Sequence, residues 1–212
     1  MNQEQARINM IKQQVRTWEV TDSRIIDLMN KYPREEFVPE AWRDIAYSDT
    51  NIQVDDYNCA LFPGLEARML QALDVQAGER VLEIGTGCGY MTALLNDLSG
   101  HVLSLDNADH VQQTAKKRLE GVALEKGNAN EGWQDHENFD VILLNGSVQQ
   151  LPEGLADKLN PGGRMFAVIG EAPAMAATLI KRDKNGLISS EQLFETSLPR
   201  VVAAEEKDVF NF

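Results

Sequence analysis

The stretch Val81-Leu82-Glu83-Ile84-Gly85-Thr86-Gly87-Cys88-Gly89-Tyr90 decides the fold. Val81 to Ile84 has the length and apolar character of a buried strand, and it runs straight into a glycine loop. Residues Tyr90 to Leu98 then have the composition of a helix. Glycines at 85, 87 and 89 let the backbone approach a ligand closely, and the helix start behind them offers unpaired N–H groups. The spacing is Gly-x-Gly-x-Gly, with Glu83 two residues before the first glycine. A dinucleotide pyrophosphate wants the longer Gly-x-Gly-x-x-Gly spacing and a helix N-terminus free of nearby anions. Dinucleotide binding is therefore disfavoured, and Glu83 suits a cationic or amino-bearing ligand.

Working toward the C-terminus, Val102 to Leu105, Val141 to Leu144 and Met165 to Ile169 repeat the short apolar run, and Val122 to Leu124 is a shorter candidate. Asp109 to Leu119 reads as a helix between two of them. This alternation predicts a parallel sheet with helices on both faces. Lys184-Asn185-Gly186 lies between Thr178 to Ile180 and Leu187 to Leu193, a hairpin signal that predicts an antiparallel edge. Asp106 closes the second strand 21 residues after Gly85, where a carboxylate can accept both hydrogen bonds of a ribose diol.

Toward the N-terminus, Ile8, Ile11, Val15 and Trp18 step by three, four and three, one face of an amphipathic helix. Thr21 or Asp22 can cap a second helix whose apolar side is Ile25, Ile26, Leu28 and Met29, and Tyr32-Pro33 ends it. A third helix is expected from Gly64 to Leu73, after an irregular connection from Phe37 to Pro63.

Composition narrows the function. The chain has 212 residues with 20 Lys or Arg against 33 Asp or Glu, so its formal charge is −13. Proteins that bind nucleic acid gain much of their affinity from cations that neutralise phosphates, so nucleic acid is excluded as a partner. No apolar run is long enough to span a membrane, which points to a cytoplasmic protein. Cys59 and Cys88 form no disulfide framework, and the three His are too widely spaced for a metal motif.

Several segments share a pattern: Met10 to Tyr47, with Pro33-Arg34-Glu35-Glu36-Phe37-Val38-Pro39, then Val81 to Tyr90, Gly132-Trp133, Phe139-Asp140-Val141-Ile142 and Pro161-Gly162-Gly163-Arg164. From end to end the chain resembles the protein-L-isoaspartate O-methyltransferase family, among the class I S-adenosylmethionine-dependent methyltransferases. The Pro-Arg-Glu-x-Phe-Val-Pro run discriminates, because the glycine loop is shared by many methyltransferases. The resemblance implies an α/β, Rossmann-like, doubly wound and mostly parallel seven-stranded sheet with an antiparallel C-terminal strand. It also implies an N-terminal helical, substrate-side extension over residues 1–77 and a cofactor-binding core over 78–212.

The implied cofactor is S-adenosylmethionine, with no metal. Its binding residues would be Glu83, Gly85, Thr86, Gly87, Gly89, Tyr90, Asp106, Asn107, Asn128, Ala129 and Asn145. The substrate side would hold Leu61, Phe62, Pro63, Asn145 and Ser147, and a protein or peptide would be the acceptor. No catalytic base is assigned, since a carboxylate acceptor is already ionised at neutral pH.

Three departures bear on the acceptor. Leu61 stands where the family's Ile-Ser-x-Pro segment has the serine whose hydroxyl helps to hold the substrate carboxylate. Asn128 replaces the acid of a Gly-Asp-Gly stretch, and Asn145-Gly146-Ser147 replaces a Thr/Ser-Ala-Ala stretch. Three readings stay open: an isoaspartyl methyltransferase, a methyltransferase with another acceptor, and a non-catalytic cofactor-binding protein. Arg16, Arg68 and Arg200 are candidates for a local positive patch, but nothing in the sequence places them near the pocket, and each is read as a surface or ion-pair residue rather than a site residue.

Overall fold

The computed structural model describes residues 2–53, 59–107, 119 and 121–201. The helix expected from Asp109 lies outside the described residues apart from its last position, Leu119.

Seven strands form one sheet in the order β5-β4-β3-β6-β7-β8-β9. They are β3 (Arg80–Ile84), β4 (His101–Asp106), β5 (Ala123–Lys126), β6 (Phe139–Val148), β7 (Leu159–Glu171), β8 (Ala174–Arg182) and β9 (Ile188–Thr196). The first five pair in parallel, whereas β7–β8 and β8–β9 are antiparallel, with Asn185-Gly186 in the last turn. Two short strands, β1 (Ile52–Gln53) and β2 (Cys59–Ala60), pair separately in the connection that the sequence left irregular.

Alternate residues of the central strands feed opposite cores, as a pleat requires. Val81, Val102, Val141, Leu143, Phe166 and Val168 join one apolar cluster. Leu82, Ile84, Leu103, Leu105, Ile142, Leu144, Met165 and Ala167 join the other. Helices α2 (Ser23–Lys31), α3 (Pro63–Leu73) and α4 (Tyr90–Ser99) cover the first face, and the N-terminal residues Met10, Ile11 and Val15 are continuous with it. Trp133, Leu155 and Val201, from connecting segments, cover the second.

Asp22 caps α2 by accepting from the Arg24 N–H at 2.9 Å, and the helix stops before Pro33. The expected first helix is wound in three pieces: α1 (Gln3–Met10), a π turn over Ile11–Val15 and a 3₁₀ turn over Arg16–Trp18. The Thr17 hydroxyl lies against the Gln13 and Gln14 carbonyls at 3.2 and 2.6 Å, taking up acceptors that the change of winding exposes. A spacing of three, four and three does not distinguish these windings.

The chain runs β3, β4, β5 outward on one side and returns to β6 on the other side of β3. This reversal opens a crevice at the carboxyl ends of the strands.

Candidate active site

Four connections meet at that crevice. Gly85 leaves β3 with a φ of +101°, a backbone that L side chains rarely adopt. Asp106 ends β4, Gly127 and Asn128 follow β5, and Asn145 lies in β6. All of them line one cleft together with Leu61, Gly87, Leu105, Asn107 and Gly146. Its remaining wall is Pro199, Arg200 and Val201.

The polar groups are oriented from behind. Gly87 N–H donates to Asp106 Oδ2 at 3.1 Å, so the loop and the strand-end carboxylate fix each other. Asn145 Nδ2 donates to the Gly85 carbonyl at 3.0 Å and lies 3.4 Å from Glu83 Oε1. Asn145 Oδ1 is buried with no hydrogen-bond partner among the described residues. A buried acceptor left unpaired costs free energy, so a cleft containing one fits a ligand that brings an N–H or O–H group. Asn128 is pinned within its own loop, donating from Nδ2 to Glu131 and accepting the Asn130 N–H on Oδ1 at 2.8 Å.

Glu83 lies below the cleft with no exposure. Its Oε2 accepts from the Thr92 hydroxyl and, at 2.6 Å, from Ser104 Oγ, which also shares a 2.7 Å hydrogen bond with Thr86 Oγ1. Burial pushes this carboxyl up to about 8, against the pull of the two hydroxyls. Burial likewise raises the Cys88 thiol to about 11, so it remains protonated at neutral pH.

Of the residues expected from sequence, the cleft gathers Leu61, Gly85, Gly87, Asp106, Asn107, Asn128 and Asn145. Others sit behind it. Thr86 joins the Glu83 network, and Gly89 caps α4. Tyr90 is buried with its ring 5.1 Å from the Arg34 guanidinium, and Ala129 accepts the Trp133 indole N–H at 3.1 Å. Phe62 and Pro63 start α3, with the Phe62 ring 5.2 Å from Trp18. Ser147 Oγ donates to the Leu198 carbonyl at 2.8 Å and lies 3.2 Å from that of Pro199. It thus fastens the chain segment that walls the cleft.

That segment is what sequence reasoning missed. Pro199, Arg200 and Val201 belong to no periodic pattern, and long-range contacts, among them the parallel bridge between Ser147 and Arg200, bring them to the cleft. Arg68, by contrast, faces Glu19 at 4.0 Å, and Arg16 is exposed.

Arg34, from the Pro-Arg-Glu run, is almost fully buried. It donates to Glu66 of α3 and to the Leu61 carbonyl, and it lies over the Tyr90 ring. One guanidinium therefore ties the N-terminal extension to the cleft wall and to the first residue of α4. Among the described residues no group of three His, Cys, Asp or Glu could hold a metal ion, and no helix is long and apolar enough to cross a membrane.

Solved structures match the fold, two of them over more than nine-tenths of this chain. One is a protein-L-isoaspartate O-methyltransferase at a TM-score of 0.77 and 24% identity, covering 92% of this chain and 64% of that one. The other is a Plasmodium falciparum chain described under the same family name and solved with S-adenosyl-L-homocysteine. It has a TM-score of 0.74 at 22% identity, covering 93% and 98%. The protein-L-isoaspartate O-methyltransferase of Syntrophus aciditrophicus is 36% identical over 77% of this chain and 78% of its own length. That of Aeropyrum pernix is 32% identical over 90% and 77%. The family model for protein-L-isoaspartate(D-aspartate) O-methyltransferase matches residues 4–206, from the helical extension that carries Arg34 through to the segment that closes the cleft. The chain belongs to this family of S-adenosylmethionine-dependent O-methyltransferases.

Proposed function

We propose that the protein transfers a methyl group from S-adenosylmethionine to the carboxylate of isoaspartyl residues in damaged proteins. The observation that carries this reading is the cleft at the strand-order reversal, where the glycine loop, Asp106 and the unpartnered Asn145 Oδ1 converge in a chain of this family.

The residues present fit the cofactor. Asp106, fixed by the Gly87 N–H, stands where a ribose diol would donate to it. Asn145 Oδ1 would accept from the cofactor's amino group, and the positive-φ backbone at Gly85 leaves that side of the loop free of a side chain. Asn128 Oδ1 keeps a second lone pair for an adenine amino group. When bound, S-adenosylmethionine supplies an electrophilic methyl group on a sulfonium sulfur.

The chain's remaining work is alignment. A carboxylate with an ordinary pKa of about 4 is ionised at pH 7, so no proton has to be removed. What is required is a nucleophile held in line in a site that excludes water. Leu61, only 3% exposed and fixed through its carbonyl by Arg34, forms an apolar wall suited to that exclusion. The unpaired Cys88 suits the reducing cytoplasm as the place of action.

The test is transfer of a labelled methyl group to an isoaspartyl peptide, with the aspartyl peptide as control and Leu61→Ser alongside. Label is expected as a base-labile ester on the isoaspartyl peptide alone. Leu61→Ser restores a donor and should lower the peptide KM about tenfold, while costing roughly 2 kcal/mol of stability from lost burial. No transfer by either protein, with cofactor binding intact, would overturn the isoaspartyl assignment. It would favour the second reading, a different acceptor suited to Leu61 and the Asn145 amide.

A further inference from the structure

We infer that Arg200 recognises the acceptor's carboxylate in the cleft. This rests on the reading of the chain as a carboxyl methyltransferase, and it answers a question that reading raises: what holds an anion where Leu61 provides no hydroxyl.

Three other side chains of the cleft do not suit an anion. Leu61 has no donor. Asn145 has committed Nδ2 to the Gly85 carbonyl and leaves only the acceptor Oδ1 unpaired, and Asp106 is itself a carboxylate. With a formal charge of −13 on the whole chain, the long-range field also opposes an anionic ligand. Among the described residues that line the cleft, Arg200 is the one cation.

Arg200 is also mounted for the task. The Ser147 N–H donates to the Pro199 carbonyl at 2.8 Å, and the Val201 N–H donates to the Ser147 carbonyl at 2.9 Å, so the backbone on both sides is laid along the end of β6. Gly146 permits this approach: a Cβ there would lie 2.9 Å from Val201 Cγ2. Arg200 Nη1 then donates to the Gly170 carbonyl at 2.7 Å, which is its one side-chain hydrogen bond among the described residues. A guanidinium has five N–H groups in a planar fork, so this tether holds the group while leaving the Nε and Nη2 edge for two parallel bonds to a carboxylate. A lysine offers a point charge without that fork.

A carboxylate at this place could come from the acceptor or from the methionine part of the cofactor, and the experiment separates them. The unmodified protein, Arg200→Gln and Arg200→Lys are compared in three binding measurements by calorimetry. The ligands are S-adenosylhomocysteine alone and, in its presence, an isoaspartyl peptide and the same peptide with that carboxylate replaced by a carboxamide. The KM for the isoaspartyl peptide is measured alongside. The unmodified protein should prefer carboxylate over carboxamide by about tenfold to a hundredfold, the worth of a charge-assisted pair. Arg200→Gln should abolish that preference and raise the peptide KM by a similar factor, with S-adenosylhomocysteine affinity unchanged. Arg200→Lys should restore part of the preference.

Equal weakening of both peptides would mean that Arg200 only braces the segment, and would overturn the inference. A loss confined to S-adenosylhomocysteine would assign the carboxylate to the cofactor, and would also overturn it. Carboxylate-selective binding without methyl transfer would sink the proposed reaction but sustain Arg200 as the recognising residue. Binding of neither peptide would sink both.

Discussion

A buried carboxyl group is costly to a fold, and Glu83 shows how it is tolerated. Its Oε2 accepts two hydroxyls, and burial raises its pKa from 4.5 to about 8. Between those values the folded protein holds a proton that the unfolded chain releases. The unfolded state therefore binds fewer protons, and stability must fall as pH rises from about 4.5 to about 8, at up to about 1.4 kcal/mol per pH unit for one such group. Glu83→Gln is uncharged at every pH, so it should flatten the dependence of the urea midpoint on pH across this window. An unchanged slope would show that Glu83 is ionised in the folded state. From sequence, Glu83 reads as an acid facing a ligand. The register places it beside Ser104 on the neighbouring strand, and that pairing is a long-range fact no local pattern carries.

At the scale of elements, the legible parts were those whose pattern is local. The apolar runs gave the strands, Asp22 and Pro33 bounded α2, and Asn185-Gly186 marked the hairpin. The glycine loop, Asp106 and Asn145 were legible as cleft residues because each ends or lies in such a strand. The C-terminal wall was not, because Pro199 to Val201 have neither period nor turn signal and are placed by Ser147 and Gly146. Gly146→Ala tests this placement. The added Cβ would meet Val201 Cγ2 at 2.9 Å and the Pro199 carbonyl at 3.2 Å, so the segment has to shift outward. Displacement of catalytic surroundings by a fraction of an ångström to one ångström costs up to about a hundredfold in rate. A fall in kcat/KM of about tenfold or more is expected, together with a lower melting temperature, because Val201 packs in the second apolar cluster and Leu198 in the first. Unchanged kinetics would show that the wall takes no part in catalysis.

For the molecule as a whole, the question is what packs the N-terminal segments against the sheet and its glycine-loop helix, and Arg34, which pairs with Glu66 and lies over the Tyr90 ring at the start of α4, supplies a test. Both are buried, at 1% and 3% side-chain exposure. Burial raises the Glu66 carboxyl although Arg34 pulls it down, and the desolvation of both groups offsets much of their attraction. Removing one partner leaves an uncompensated charge. Arg34→Met and Glu66→Leu should each cost about 3–5 kcal/mol, whereas the double variant should recover most of that loss. Activity should not follow stability. Arg34 also donates to the Leu61 carbonyl and stacks on Tyr90, so the double variant still lacks the bond that positions the cleft wall. Urea unfolding and kcat/KM measured on all four proteins separate the two roles. Recovery of stability with kcat/KM still reduced by about tenfold or more identifies Arg34 as a positioning residue that couples the extension to the cleft. Recovery of both would mean that the ion pair alone matters, and that Leu61 holds its place without the guanidinium.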